Sequence, residues 1–253
     1  EGHSRPLHFI WNGINKTINQ IKYFLLEIRI FSFNKAEILT GRLNHVAYLL
    51  PQLRCYLKGL YRWMAEWKKP NAKRSAPADV LDDLWRWHVV LSNFEHTRLI
   101  QSSTPVNIKW IGDASTSFGI GVKIGKMWSQ LKLTDTCSTL EPRRGIAWLK
   151  TVAIRVGLLM LKHTGSIRKG SNVIVWTDNN TTLSVLERRK SRDPQVNNEW
   201  KIIQDFLIAE ELDLSGKRVR TEDNVADDLS RGIRGSHKEI NRVSFPIPPD
   251  LMT

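Results

Sequence analysis

Hydrophobic and polar positions follow two rhythms along the chain. Up to about residue 104 the apolar residues recur mostly at helical spacing, whereas from Val106 short alternating runs are mixed with long apolar ones. Ile14, Ile18, Ile21 and Leu25 predict an amphipathic helix, followed by a β-branched and aromatic run over residues 28–33. Ile38, Leu39, Leu43, Val46, Leu49 and Leu50 keep the helical period until Pro51, and a second periodic run covers residues 53–67. Proline lacks the donor that a helix interior needs, so this stretch predicts two helices with a sharp break. Residues 69–77 (KPNAKRSAP) read as a linker. A helix from Ala78 or Asp79 then places Leu81, Leu84, Trp85, His88 and Leu91 on one core-facing stripe.

In the second half, Val106, Ile108 and Trp110 alternate as in a half-buried strand, and the apolar run ends at Asp113. Ala114, Ser115 and Thr116 form a small polar turn that leaves room beside the acid, and Gly119, Gly121 and Gly125 punctuate two further strand-like runs ending at Leu133. Residues 145–163 are almost continuously apolar apart from Lys150, Arg155 and Lys162, which predicts a helix buried against a sheet. Residues 171–177 (SNVIVWT) predict a short strand that again ends in a carboxylate, Asp178. Asn179, Asn180 and Thr181 suit the start of a helix over 182–190. A helical region over 196–212, an edge strand over 216–220 and a last helix carrying Asp227 and Asp228, with Asn224 placed to cap it, complete the pattern. Taken singly, each strand-end acid fits a turn or helix cap as well as a site.

Charge and composition narrow the partner class. The 253 residues hold 38 Lys and Arg against 25 Asp and Glu, a net charge of +13. Both halves share the excess: fifteen basic and eight acidic residues before Pro105 (15 − 8 = +7), then twenty-three and seventeen (23 − 17 = +6). A distributed cationic surface favours polyanions, nucleic acid first. Arg188, Arg189, Lys190 and Arg192 form a basic rim after the second strand-end acid, and Lys68 and Lys69 follow Trp63 and Trp67 in a second aromatic and basic cluster. The latter fits either a stacking surface or core tryptophans beside solvated lysines. Cys55 and Cys137 match neither a disulfide framework nor a metal-ligand pattern, so an intracellular protein is expected. The apolar run over 21–33 is interrupted by Glu27 and Arg29 and is too short for a bilayer, so neither a membrane span nor a signal peptide is expected.

The series WIGDAS, a helix, VWTDNN and NVADDLSRG resembles the ribonuclease H domain of retroelement reverse transcriptases, over residues 106–232. GRLNHVAYLLPQLRCYLKGLYRW resembles the helical thumb or connection that precedes that domain in retrotransposons of the LTR and tyrosine-recombinase kinds. The resemblance implies a retroelement fragment or a host gene made from one. It also implies an α/β fold with a ribonuclease H-like mixed five-stranded sheet flanked by helices, preceded by an α-helical region. The expected division is 1–104 helical, 105–235 ribonuclease H-like and 236–253 a C-terminal tail. Val225-Ala226-Asp227-Asp228 looks like a polymerase Tyr-x-Asp-Asp signature, but its context, running into Leu-Ser-Arg-Gly, belongs to the last ribonuclease H helix. No polymerase activity is expected.

Enzymes of this family hold two Mg²⁺ ions, roughly 4 Å apart, that prepare a water and stabilise the leaving oxygen. Hard cations need oxygen ligands, which explains acids at strand ends and helix starts. By resemblance Asp113 bridges both metals, Asp178 serves the leaving-group side and Asp227 the nucleophile side; Asp228 is the neighbouring choice for the last position, though beside Leu229 and Ser230 it better fits an outward role. The family's fourth acid, a glutamate three residues before an alanine, falls on Lys150 of Lys150-Thr151-Val152-Ala153. At about 4 Å and an effective dielectric near 20, a lysine against a divalent ion costs up to about 8 kcal/mol, which threatens the second metal. Glu141 precedes Pro142 too far upstream to replace the glutamate. Three functions follow: a nucleic-acid-binding ribonuclease H-like protein with weak or lost cleavage, a working Mg²⁺-dependent endonuclease on RNA/DNA hybrids using three aspartates, or a domesticated protein-interaction scaffold.

Overall fold

The computed structural model describes residues 5–25, 30–69, 71–93, 104–133 and 145–251, and the chain divides into two compact units, Glu1–Ile100 and Gln101–Thr253. The first is helical: α1 (Arg5–Leu25), α2 (Phe33–Leu49), α3 (Lys58–Ala65) and α4 (Ala78–Ser92), with a two-stranded ribbon of β1 (Ile30–Phe31) and β2 (Arg74–Ser75). Ser32 caps α2 by accepting from the Lys35 backbone N–H. Pro51 ends that helix as expected, and the chain runs through a 3₁₀ segment, Pro51–Leu57, into α3.

An aromatic cluster fills this unit. Phe24 and Phe31 stack at 4.1 Å, Phe31 meets Trp63 edge-on at 6.1 Å, and Trp63 lies 4.9 Å from Trp67. Trp63 and Trp67 are therefore core, and Trp67 donates its indole N–H to the Ala72 carbonyl. Two local expectations change here. The presumed linker is part of the unit, because Arg74 and Ser75 pair with Phe31 and Ile30 and the Arg74 guanidinium sits over the Trp67 ring at 5.6 Å. Helix α4 is rotated relative to the expected stripe: it buries Val80, Asp83, Leu84, Trp87 and Leu91, while Trp85 is exposed and stacks on His88. With a tryptophan at both 85 and 87, periodicity alone does not choose between the two faces.

The second unit is a five-stranded mixed sheet with the order β5-β4-β3-β6-β7. Strands β3 (Val106–Ala114), β4 (Gly119–Ile124) and β5 (Met127–Lys132) form an antiparallel meander, and β6 (Asn172–Thr177) and β7 (Asp213–Arg218) extend it in parallel from β3. With helices α5 (Ile146–His163), α6 (Asn180–Arg188), α7 (Pro194–Ala209) and the one-turn α8 (Asp227–Ser230), this is the α/β ribonuclease H-like fold. Strand β7 begins three residues before the expected edge strand, because Asp213 pairs with Asn172 and Gly216 fits under Leu183 and Leu186 of α6.

Small residues seat α5 on the sheet. A Cβ at Gly112 would lie 3.4 Å from that of Ala153, and one at Gly157 would collide with the Trp110 ring. These contacts place residue 150, one turn before Ala153, towards the Asp113 end of β3. On the opposite face Gly121 makes room for Leu229 and Ser230 of α8, and Gln130 donates to the Leu229 carbonyl. The expected tail packs back through residue 251: Trp128 donates its indole N–H to Lys238, Val243 donates to Trp128, and Arg155 binds Asp250. Among the described residues, no helix is long and apolar enough to cross a membrane.

Candidate functional site

Two of the three predicted acids come together, and a lysine lies between them. Asp113 stands near the end of β3, and Asp178 follows β6 directly. Asn179, not Asp178, caps α6, its side chain accepting from the Thr182 N–H at 2.9 Å. The Asp178 carboxylate is thereby left to meet Lys150. Lys150 Nζ donates to Asp178 Oδ1 at 2.8 Å and lies 2.9 Å from Asp113 Oδ1. The second contact is an ion pair without hydrogen-bond alignment, since Asp113 Oδ1 accepts no well-directed bond. All three side chains are withdrawn from water, at 14% exposure for Lys150, 2% for Asp113 and 9% for Asp178.

Electrostatics follow from burial and pairing. Burial raises the Asp113 carboxyl above its ordinary value, a shift that Lys150 and the Ala114 backbone N–H oppose only in part. For Lys150, burial favours the neutral amine, but its hydrogen bond to Asp178 and the adjacent Asp113 carboxylate outweigh that effect and hold the ammonium above its ordinary value. With all three ionised the cluster carries one net negative charge.

The third predicted acid is engaged elsewhere. Asp227, in the first turn of α8, accepts from Arg231 Nε at 3.1 Å on both oxygens, and Asp228 is exposed. Among the described residues, no group of three or more His, Cys, Asp or Glu side chains is placed to hold a metal ion. With the Oδ1 atoms of Asp113 and Asp178 both turned on the ammonium, the donors do not fit a two-ion Mg²⁺ centre, which needs several free oxygens around each ion. The sequence predicts that Lys150 would repel a metal; its position goes further, because the ammonium pairs with the acids themselves and offsets half of their charge. Glu141 lies outside the described residues.

The expected basic rim divides. Arg188, Lys190 and Arg192 are exposed, but Arg189 is buried: it ends α6 in the left-handed conformation at φ 59°, donates to the Leu214 carbonyl at 2.6 Å and pairs with Asp213 at 2.7 Å. It ties α6 to β7 and is removed from the set of nucleic-acid contacts. Lys68 and Lys69 are exposed on the helical unit. A cluster not foreseen as a site surrounds Arg155, which forks onto Asp250 at 2.6 and 2.9 Å and lies 3.6 Å from Glu199. Its signal was an arginine in the middle of the nearly apolar run of α5.

No protein-family model matches the chain, and no curated protein matches its sequence.

Proposed function

We propose that this is a retroelement-derived, ribonuclease H-like nucleic-acid-binding protein whose cleavage of RNA in RNA/DNA hybrids is weak or lost. The observation that carries the reading is the Lys150 ammonium within 2.9 Å of both Asp113 and Asp178, where the family's acids would meet cations. A nuclease of this type needs those carboxylates as free oxygen ligands, and an internal cation satisfies them instead. Binding does not need the metal: it draws on the +13 charge and on exposed cations such as Arg188 and Lys190. The retroelement origin rests on the order of the WIGDAS, VWTDNN and NVADDLSRG motifs.

Binding and cleavage of a labelled RNA/DNA hybrid, with Mg²⁺ or with chelator across a salt series, test the proposal. The expected result is binding that weakens steeply with salt, is indifferent to chelator and is accompanied by little cleavage. Lys150→Glu is expected to gain both Mg²⁺ affinity and cleavage. Efficient Mg²⁺-dependent cleavage by the wild type, abolished in Asp113→Asn, would establish the active endonuclease instead. Absence of hybrid binding at low salt would leave the scaffold reading.

A further inference from the structure

On the sheet face opposite α5, a row of residues crosses four strands in register: Lys123 faces Ile111, Ile111 faces Trp176, and Trp176 faces Lys217. Helix α8 and the C-terminal segment cover the β4 and β5 side of this face, whereas α6 packs on the other face, against Gly216. Trp176 is half-buried and Lys217 exposed. The indole is held in place: its N–H donates to Asn107 Oδ1 at 3.2 Å, and the same oxygen accepts from the Lys109 N–H across the bulge in β3. Lys217 Nζ stands 5.7 Å from the Trp176 ring centroid, and Arg220 is exposed just past the edge strand, whereas Arg218 binds Asn180 of α6 on the other face. The one acid of β7, Asp213, is already paired with Arg189.

We infer that Trp176 is a stacking platform for an unpaired base, and that this sheet face binds single-stranded nucleic acid separately from the lysine and aspartate cluster. The inference rests on the nucleic-acid reading above but uses a different surface and a different form of ligand. A fixed indole offers a face on which any base can stack, and flanking cations supply the charge complementarity for the backbone. With strands about 4.8 Å apart, Lys123 and Lys217 stand three strand spacings apart, about 14 Å, on either side of the row. The exposed Lys217 chain leaves the ring when a base arrives and pairs with a phosphate.

The test uses the full chain, with labelled oligouridylate, oligothymidylate and a blunt RNA/DNA hybrid as probes in fluorescence anisotropy. Trp176→Ala is expected to weaken binding of both single strands about fivefold or more, Trp176→Phe to retain most of it, and hybrid binding to change by less than about twofold. Photocrosslinking of 4-thiouridine-substituted oligouridylate to the wild type, read by peptide mass spectrometry, is expected to mark the peptide containing Trp176, and it decides the matter if Trp176→Ala does not fold. Wild type that binds hybrid but not single strands overturns this inference alone, as do unchanged single-strand affinity in a folded Trp176→Ala and crosslinks confined to other peptides. Failure of the wild type to bind either ligand at low salt overturns the nucleic-acid reading as well.

Discussion

Two cations of helix α5, Lys150 and Arg155, each lie between two acids, but the two arrangements are closed differently. Lys150 meets Asp113 and Asp178, both fixed at the ends of neighbouring sheet strands and both nearly inaccessible. Arg155 meets one buried acid, Glu199 of α7, and one from the C-terminal segment, Asp250, whose side chain is 52% exposed. The chemistry suits each place. An ammonium is a compact charge that two converging carboxylates can share, whereas a guanidinium is a planar fork that matches one carboxylate bidentately. The first cluster is part of the sheet; the second is a clasp that ties the end of the chain to α5.

Removing Lys150 should have the largest effect. Lys150→Met leaves two buried carboxylates facing each other and is expected to cost about 3–5 kcal/mol in urea unfolding at neutral pH. The loss should shrink in acid. A carboxyl with a raised native value binds protons in the folded state before the unfolded one, so stability falls as pH rises from the ordinary 3.8 through that raised value, and it returns on acidification. A loss below about 1 kcal/mol would put this cluster on a level with exposed ion pairs and erase the contrast.

Arg155→Met comes next, at about 3 kcal/mol, because it takes the guanidinium from beside the buried Glu199 and releases the clasp. Asp250→Asn touches only the exposed partner and should cost about 1 kcal/mol. If both variants lost equal stability, Glu199 would contribute nothing to the difference. Alkali gives the finest discrimination. Lys150 is held above 10.5, so its contribution is complete below that value and disappears as pH rises through its folded value. Arg155 is held above the ordinary arginine value by Asp250 and Glu199 and stays charged. The stability gap between wild type and Lys150→Met should therefore narrow above pH 10.5, while the gap to Arg155→Met persists until higher pH.

Much of the sheet unit was legible before any coordinates. Alternation ending at Asp113, the β-branched run ending at Asp178 and the apolar stretch around Lys150 marked β3, β6 and α5, because strand and helix periods are local properties of the chain. The anomaly at Lys150 was legible too, as a cation where the resembling family has an acid. Less legible were Arg189, which read as one of four rim cations until its αL turn directed it to Leu214 and Asp213, and the tail, whose contacts with Trp128 and Arg155 span about a hundred residues.

By itself, the sequence determined the order of strands and helices, the succession of Asp113, Lys150, Asp178 and Asp227, and the cationic balance. These depend on residue type and on neighbours within a turn or two. Only the tertiary structure decided which of those charges meet. Ala153 on Gly112 and Trp110 against Gly157 set the seat of α5, and that seat carries Lys150 Nζ to two acids contributed by different strands, while Arg231 takes Asp227. Periodicity assigns a side chain to a face, but the depth and partner it finds there come from close packing between elements far apart in the chain.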